Sequence, residues 1–171
     1  MSHLKVALAG TLSLALAACV STYTRQTVTP AQSKLAATGS VLVAVPQDGA
    51  YGDQTYPASG SATANAVRAA LSRFSNNVQL ATSCSELSCL TSNSTPYDYY
   101  VVPQILHWED RATEWSGKKD RIELKITVYS RNGSPVASQI ISGASKWFTF
   151  GGDHPQDLLA EPINQYVQSL Y

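Results

Sequence analysis

The sequence feature that most constrains the fold is the apolar run at 40–45, which is uninterrupted after Ser40 and rich in β-branched residues. Such a run predicts a strand buried on both faces, in the interior of a sheet. A Gly-, Tyr- and Ser-rich segment follows at 46–60, and apolar residues then recur at helical spacing across 61–74, which predicts an amphipathic helix. A second short strand at 78–81 completes a β-loop-α-β unit, whose crossover is expected to be right-handed.

The second half of the chain has the pattern of an antiparallel meander. A strand at 99–108 is apolar on both faces, and its successor at 121–128 alternates apolar and polar residues, as a half-buried strand does. Asn132-Gly133 is a strong hairpin signal, so 136–145 should return antiparallel, and apolar spacing over 158–170 predicts a C-terminal helix. The predicted fold class is therefore α+β, with a mixed sheet of about five strands and two main helices.

The N-terminal segment has the pattern of a bacterial lipoprotein signal peptide. A basic start precedes an apolar run at 6–18, which ends in the lipobox Leu16-Ala17-Ala18-Cys19. Lipid transfer requires a thiol, and the signal peptidase requires small residues before its cut. Alternatives are an ordinary secretory signal with a chance cysteine, or a membrane anchor, for which the run is short against the roughly 20 residues needed. We expect cleavage of residues 1–18 and lipidation of Cys19.

The chain after the lipobox predicts a tethered domain. Residues 19–38 are mostly small and polar, which is typical of a flexible tether, and 39–171 should form one globular domain. An Asp after the lipidated cysteine usually retains a lipoprotein in the inner membrane of Gram-negative bacteria, whereas this chain has Val20. We therefore expect a lipid anchor in the outer membrane, with the domain on the periplasmic face.

Charge and cysteine usage exclude some partners. Twelve basic and twelve acidic residues are spread without runs, so no nucleic-acid partner is expected. Cys84 and Cys89 remain once Cys19 is lipidated, and thiols of an exported protein tend to pair, so a disulfide is predicted. The alternative, a redox-active pair, lacks both the Cys-x-x-Cys spacing and a nearby cation.

Three stretches of the chain resemble a family of bacterial lipoproteins known only as a domain of unknown function. They are the loop 51–60 with Thr63-Ala64-Asn65-Ala66-Val67, the tryptophan-containing block 103–121, and the end 166–171. This resemblance implies an envelope location and a domain identity, but no activity. In the order of its elements the chain is also similar to TolB N-terminal-type modules of envelope lipoproteins, which implies protein binding.

Catalytic and metal-binding signals are weak. The chain after the signal peptide has two histidines, His107 and His154, and it lacks a Gly-x-Ser-x-Gly elbow, a phosphate-binding loop and a Cys/His cluster. We therefore expect no enzyme activity, no cofactor and no metal. An alternative is a metal site formed by His107 and Glu109, which share one face of a strand, with His154 as a distant third ligand.

Two segments contain the candidate binding residues. The loop 48–61 should leave the carboxyl end of a strand and precede a helix N-terminus capped by Ser59 or Ser61, where α/β sheets often bind ligands. Its Tyr51 and Tyr56 offer flat surfaces for a ligand. The alternative is that this loop is a simple connection.

The second segment is 108–121, which contains Trp108, Arg111 and Trp115. A two-residue turn at Ser116-Gly117 would place Trp108 on the wet face of the hairpin, whereas a longer loop buries it. We favour the longer loop, with Trp108 buried and Trp115 exposed near the tip. An exposed tryptophan among mixed charges is typical of a recognition surface, although it also occurs where a ring covers a neighbouring cationic stem.

These patterns together favour a non-catalytic lipoprotein that binds or scaffolds another envelope component. The first alternative is an envelope hydrolase or transferase, which requires His107 or His154 in a cleft beside an acidic partner. The second is a small-ligand or glycan binder that uses tyrosine and tryptophan side chains.

Overall fold

The computed structural model describes residues 21–111, 118–146 and 154–171. Within these residues the chain forms a six-stranded mixed sheet of order β1-β8-β7-β6-β2-β5 and a small hairpin, β3-β4. The strands are β1 (Thr22–Thr29), β2 (Val41–Ala44), β3 (Ala50–Tyr51), β4 (Gln54–Thr55), β5 (Val78–Ala81), β6 (Tyr99–Glu109), β7 (Arg121–Ser130) and β8 (Pro135–Ala144). The helices are α1 (Ser59–Leu71), α2 (Leu87–Thr91), a 3-10 turn (Pro155–Leu158) and α3 (Ala160–Leu170). The α+β class is confirmed.

The apolar run at 40–45 lies where its pattern predicts. All four residues of β2 are buried, and β2 pairs in parallel with β5 on one side and with β6 on the other. A strand with neighbours on both edges and layers on both faces has no solvent-exposed side, which is why its sequence does not alternate. The predicted β-loop-α-β unit is thus β2-α1-β5.

The meander β6-β7-β8 is antiparallel throughout, as predicted. Four alternating residues of β7 are at most 1% exposed: Ile122, Leu124, Ile126 and Val128. The turn after β7 contains Gly133 at a φ of +82°, a conformation that glycine adopts without strain. Its amide donates to the Ser130 carbonyl oxygen at 2.8 Å, which closes the hairpin.

The two faces of the sheet differ in cover. Helices α1 and α3 pack over one face and form the main core, in which Val67 and Ile163 are fully buried. On the other face α2 covers one end, where Leu90 packs with Leu42 and Tyr100. The remainder of that face has polar and charged side chains, so one region of the sheet is left open to solvent.

The prediction of a flexible tether at 19–38 is wrong for residues 22–29 and for Leu35. Residues Thr22–Thr29 form β1, which pairs antiparallel with β8 at the sheet edge, and Leu35 is a buried member of the main core. The segment has few apolar residues because an edge strand exposes most of its side chains, while its threonines favour an extended backbone. The sheet therefore has six strands instead of five, and the folded domain starts before residue 39.

The longer loop between β6 and β7 is confirmed. Trp108 pairs with Ile122 and is 2% exposed. A β-bulge between Ile105 and His107 inserts Leu106, which shifts the register and leaves this leucine 48% exposed. Trp115 lies outside the described residues, so its predicted exposure stays a prediction.

Candidate functional site

The last residues of β6, together with Arg111 just beyond them, surround a buried carboxylate. Glu109 is 3% exposed, and its two carboxylate oxygens face different partners. One oxygen forms an ion pair with the guanidinium of Arg111, and the other lies 3.3 Å from Nε2 of His107. Because residues 107, 109 and 111 are two apart, the extended chain places them on the same side. We call His107, Glu109, Arg111 and the neighbouring Tyr51 the Glu109 cluster.

Tyr51 completes the cluster from the β3-β4 hairpin. Its ring meets the His107 ring edge to face, with centroids 5.1 Å apart, and the Arg111 guanidinium lies 5.4 Å from the Tyr51 centroid. Tyr51 is 45% exposed and the Arg111 side chain 32%. The cluster thus combines a buried anion with an exposed aromatic ring and a half-exposed cation.

A glycine allows the hairpin to approach β6. A Cβ added at Gly49 would lie 2.5 Å from Cβ of Trp108 and 2.9 Å from Cγ2 of Ile105. The backbone of the loop therefore packs directly on the bulged part of β6, where a larger residue has no space. This contact positions Tyr51, two residues later, beside His107.

The N-terminus of α1 is capped by the same loop. The Asp48 carboxylate accepts hydrogen bonds from the amides of Gly60, at 2.8 Å, and Ala58, at 3.2 Å. The predicted caps Ser59 and Ser61 do not fill this role, since the helix follows Ala58 without a side-chain cap of its own. The Asp48 carboxylate therefore occupies the position at the helix N-terminus where an anionic ligand would bind.

The end of the sheet beside the Glu109 cluster is held by a second buried carboxylate. Asp120 is 7% exposed, and its side chain accepts a hydrogen bond from the Arg111 amide at 2.6 Å. Its own amide donates to Oγ of Ser145 at 3.0 Å, and its carbonyl oxygen accepts from the Ser145 amide. The ends of β6, β7 and β8 are therefore tied together around Asp120.

A cleft of about 480 Å³ adjoins the cluster on the open face of the sheet. Polar residues of four strands supply most of its lining, together with the exposed Leu106. Within it the Ser142 hydroxyl donates to the Glu123 carboxylate at 3.2 Å. The lining residues are Thr22, Thr24, Leu106, His107, Arg121, Ile122, Glu123, Ser142, Gly143 and Ala144.

The structure brings two of the predicted binding residues together and separates the others. Tyr51 and Arg111 are in contact, and the buried Trp108 lies beneath the loop that positions Tyr51. Tyr56 is partly buried and packs against the main core, so it offers no free ring face comparable with that of Tyr51. Trp115 and Cys19 lie outside the described residues.

Sequence reasoning missed the central role of Glu109. The pattern His-x-Glu-x-Arg runs from the end of β6 to Arg111 just beyond it, and from sequence it suggests at most two metal ligands, whereas in the structure the Glu109 carboxylate lies between the imidazole of His107 and the guanidinium of Arg111. His154, the third ligand of the alternative metal site, instead faces Asp110, with Nδ1 3.7 Å from its carboxylate. Among the described residues no group of three or more His, Cys, Asp or Glu side chains could hold a metal ion.

Cys84 and Cys89 form the predicted disulfide bond. It bridges the loop after β5 and helix α2, and Cys84 packs against the small cluster around Leu90. The bond therefore fixes the short helix that covers one end of the open face. No helix in the described part of the chain is long and apolar enough to cross a membrane.

Fold and site together define a small α+β domain whose sheet is helix-covered on one face and partly open on the other. A family model of a domain of unknown function, DUF4823, matches residues 33–170, and the chain therefore belongs to this family. The match begins within the predicted tether segment, in agreement with the buried position of Leu35. No curated protein is significantly similar to the chain.

Solved structures with the same fold include two PelC dodecamers from Paraburkholderia phytofirmans. The first has a TM-score of 0.64 at 15% identity, over 88% of this chain and 97% of that chain. The second, a variant, has a TM-score of 0.62 at 12% identity, over 87% and 98%. Protein XCC0632 from Xanthomonas campestris, of family DUF330, has a TM-score of 0.52 at 18% identity, over 84% and 90%. At such low sequence identities, the structural similarity establishes the fold alone. The likeness to TolB-type modules stays a prediction.

Proposed function

We propose that this protein is a non-catalytic lipoprotein that binds or scaffolds another protein of the cell envelope, from the periplasmic face of the outer membrane. The observation that carries this proposal is the Glu109 cluster, in which a buried carboxylate holds Arg111 beside the exposed ring of Tyr51. The anchor is Cys19, and its support is the lipobox and the signal-peptide pattern before it.

The cluster has the chemistry of a protein-binding hot spot. Tyrosine and arginine are enriched among the residues that dominate binding free energy, because both combine a large contact area with directional polar groups. Glu109 fixes the guanidinium before a partner arrives, so less side-chain entropy is lost on binding. The exposed Leu106, on the neighbouring bulge, adds apolar area to the same region.

The solved structures with this fold support a role in assembly. Two of them are PelC dodecamers, so the fold serves in those proteins as a repeated subunit. Such a subunit needs surfaces for neighbouring copies or other proteins. We extend this to the present chain as a proposal that its partner contacts are protein contacts.

A second candidate function is an envelope hydrolase or transferase, and one observation favours it. His107 lines the cleft and lies beside the Glu109 carboxylate, which is the geometry of a histidine oriented as a general base. The hydroxyl of Ser142 in the same cleft donates to Glu123, however, and not to His107. Replacement His107→Gln tests this function, since loss of an envelope-modifying activity without loss of partner binding would favour the enzyme.

Crosslinking in living cells tests the binding proposal. A photoreactive amino acid at position 106 should capture a distinct envelope protein, and Arg111→Ala should weaken that capture. Arg131→Ala is a matched control, because Arg131 also pairs with a carboxylate, that of Asp98 at 2.7 Å, but belongs to the turn at the other end of β7. Equal capture by both variants would show that the Glu109 cluster is not the contact surface.

A further inference from the structure

We propose that the end of the sheet at which β1 begins rests against the membrane surface, with the strands directed away from the lipid. This orientation rests on the proposed lipidation of Cys19. Its occupant is a phospholipid surface, and the Glu109 cluster lies at the same end, so the envelope partner would be bound close to the membrane.

The length of chain between the anchor and the sheet carries the argument. The lipobox cysteine is residue 19 and β1 begins at Thr22, so three residue steps join the lipid to the fold. Even fully extended, three residues span about 11 Å. A flexible tether of the predicted length would leave the domain free to rotate, whereas this connection holds one end of the sheet beside the headgroups.

Strand pairing identifies which residues share that end. Thr22 pairs with Ala144, Ala144 with Arg121, and Arg121 with Glu109. Neighbouring strands lie about 4.8 Å apart, so this row spans only about 14 Å across the sheet. The ends of four strands are therefore within reach of the surface to which Cys19 is attached.

The charges at this end fit anionic headgroups. Among the described residues there, Lys118, Arg121 and Lys146 are exposed, whereas the carboxylates of Glu109 and Asp120 are buried, and that of Asp110, 27% exposed, lies 3.7 Å from Nδ1 of His154. Exposed cations near a membrane are attracted to its anionic lipids, while the two buried carboxylates face partners inside the protein. The end nearest the anchor thus presents cations outward.

The opposite end is the turn between β7 and β8. Strand β7 has ten residues, which extend about 33 Å at 3.3 Å per residue. Ser134, next to Gly133 in this turn, is exposed and lies far from the row of Thr22. The orientation therefore predicts that Lys146 is near the lipid and that Ser134 is remote from it.

Fluorescence quenching in vesicles tests this orientation. The full lipidated protein carries a single introduced thiol, Lys146→Cys or Ser134→Cys, labelled with one dye, since lipidation and the disulfide use the native cysteines. It is reconstituted into vesicles of phosphatidylethanolamine and phosphatidylglycerol that contain a headgroup quencher. We expect loss of fluorescence at position 146 and none at 134, and equal or reversed quenching would overturn the proposal.

Two further measurements separate the orientation from the proposed location. The acyl mass on Cys19 is read from the same samples, so acylated protein with reversed quenching overturns the orientation alone. An absence of acyl mass would overturn the anchor as well. A Gly- and Ser-rich insert between Val20 and Ser21 should reduce quenching at position 146, because it restores the freedom that the short connection removes. Unchanged quenching with this insert would contradict the role of chain length.

Discussion

The Glu109 carboxylate lies 3.3 Å from the His107 ring and forms an ion pair with Arg111, although Glu109 is only 3% exposed. A carboxylate at this depth has lost most of its hydration, so its charge is stabilised by these neighbours instead of by water. The same carboxylate therefore fixes both the histidine and the arginine of the candidate site. Removal of this carboxylate should therefore lower both the stability of the domain and its affinity for a partner.

We expect Glu109→Ala to lower the free energy of unfolding by about 2 kcal/mol, because the charged contacts of the carboxylate are lost while the half-exposed Arg111 left behind stays partly hydrated. Urea unfolding followed by tryptophan fluorescence measures this loss. Glu161→Ala is the control, since Glu161 is exposed on α3 and its removal should cost less than about 0.5 kcal/mol. Similar losses for both variants would contradict the proposed role of Glu109.

The strand at the start of the domain provides a second test. Tyr23 is half-buried and packs over Gly143, where an added Cβ would meet the tyrosine ring at 3.1 Å. We expect Tyr23→Ala to destabilise the domain by about 1–2 kcal/mol, less than a fully buried aromatic residue. Thr24→Ala, on the adjacent exposed position, should have little effect. If Tyr23 belonged to a flexible tether, the two substitutions would be equally silent in thermal unfolding.

The disulfide should contribute modestly. Cys84 and Cys89 are five residues apart, and closing so short a loop stabilises by roughly 2 kcal/mol on the chain-entropy estimate. The double variant Cys84→Ser with Cys89→Ser should lose that amount in urea unfolding, chiefly by loosening α2. Both cysteines of the unsubstituted protein should resist alkylation under denaturing, non-reducing conditions. Labelling of either cysteine would disprove the bond.

Patterns that depend on one strand or helix were sufficient to predict most of the fold. The continuous apolar run of β2, the alternation of β7 and the Asn132-Gly133 turn each reflect local burial or local backbone geometry. Strand β1 could not be predicted in this way, because an edge strand has almost no apolar face. Its composition therefore resembles that of a flexible tether. Its pairing with β8 depends on a partner more than 100 residues later in the chain.

Only part of the candidate site could be predicted, because its contacts also depend on residues that are distant in the chain. Tyr51 and Arg111 were identified as binding residues from composition, but their contact depends on the approach of Gly49 to Trp108. That approach is a tertiary fit, and a sequence pattern does not encode which side chain leaves space for a backbone. The sequence likewise does not indicate Asp48 as the cap of α1. Asp48 lies ten and twelve residues before the two amides that donate hydrogen bonds to its carboxylate.

The last prediction concerns the pH dependence of stability. It rests on Asp98, which lies at the end of the sheet opposite to the Glu109 cluster. The Asp98 carboxylate accepts hydrogen bonds from the Ser40 amide and hydroxyl, each at 2.8 Å, and pairs with Arg131. The Ser40 amide first, then its hydroxyl and Arg131, hold the pKa of Asp98 below its ordinary value. A depressed pKa means that the unfolded chain binds the proton more readily than the folded one, so this contribution to stability is present above the ordinary pKa of about 3.9.

We therefore expect Asp98→Asn to be less stable than the unsubstituted protein at pH 7, and this difference should shrink as the pH falls below about 4, through the folded-state pKa. Thermal unfolding of both proteins across this range measures the difference. Asp53→Asn removes the same formal charge at an exposed position of the β3-β4 hairpin, and it should show no such convergence. A difference for Asp98→Asn that stays constant or widens on acidification would contradict the assignment, because the stabilising form of Asp98 is the carboxylate.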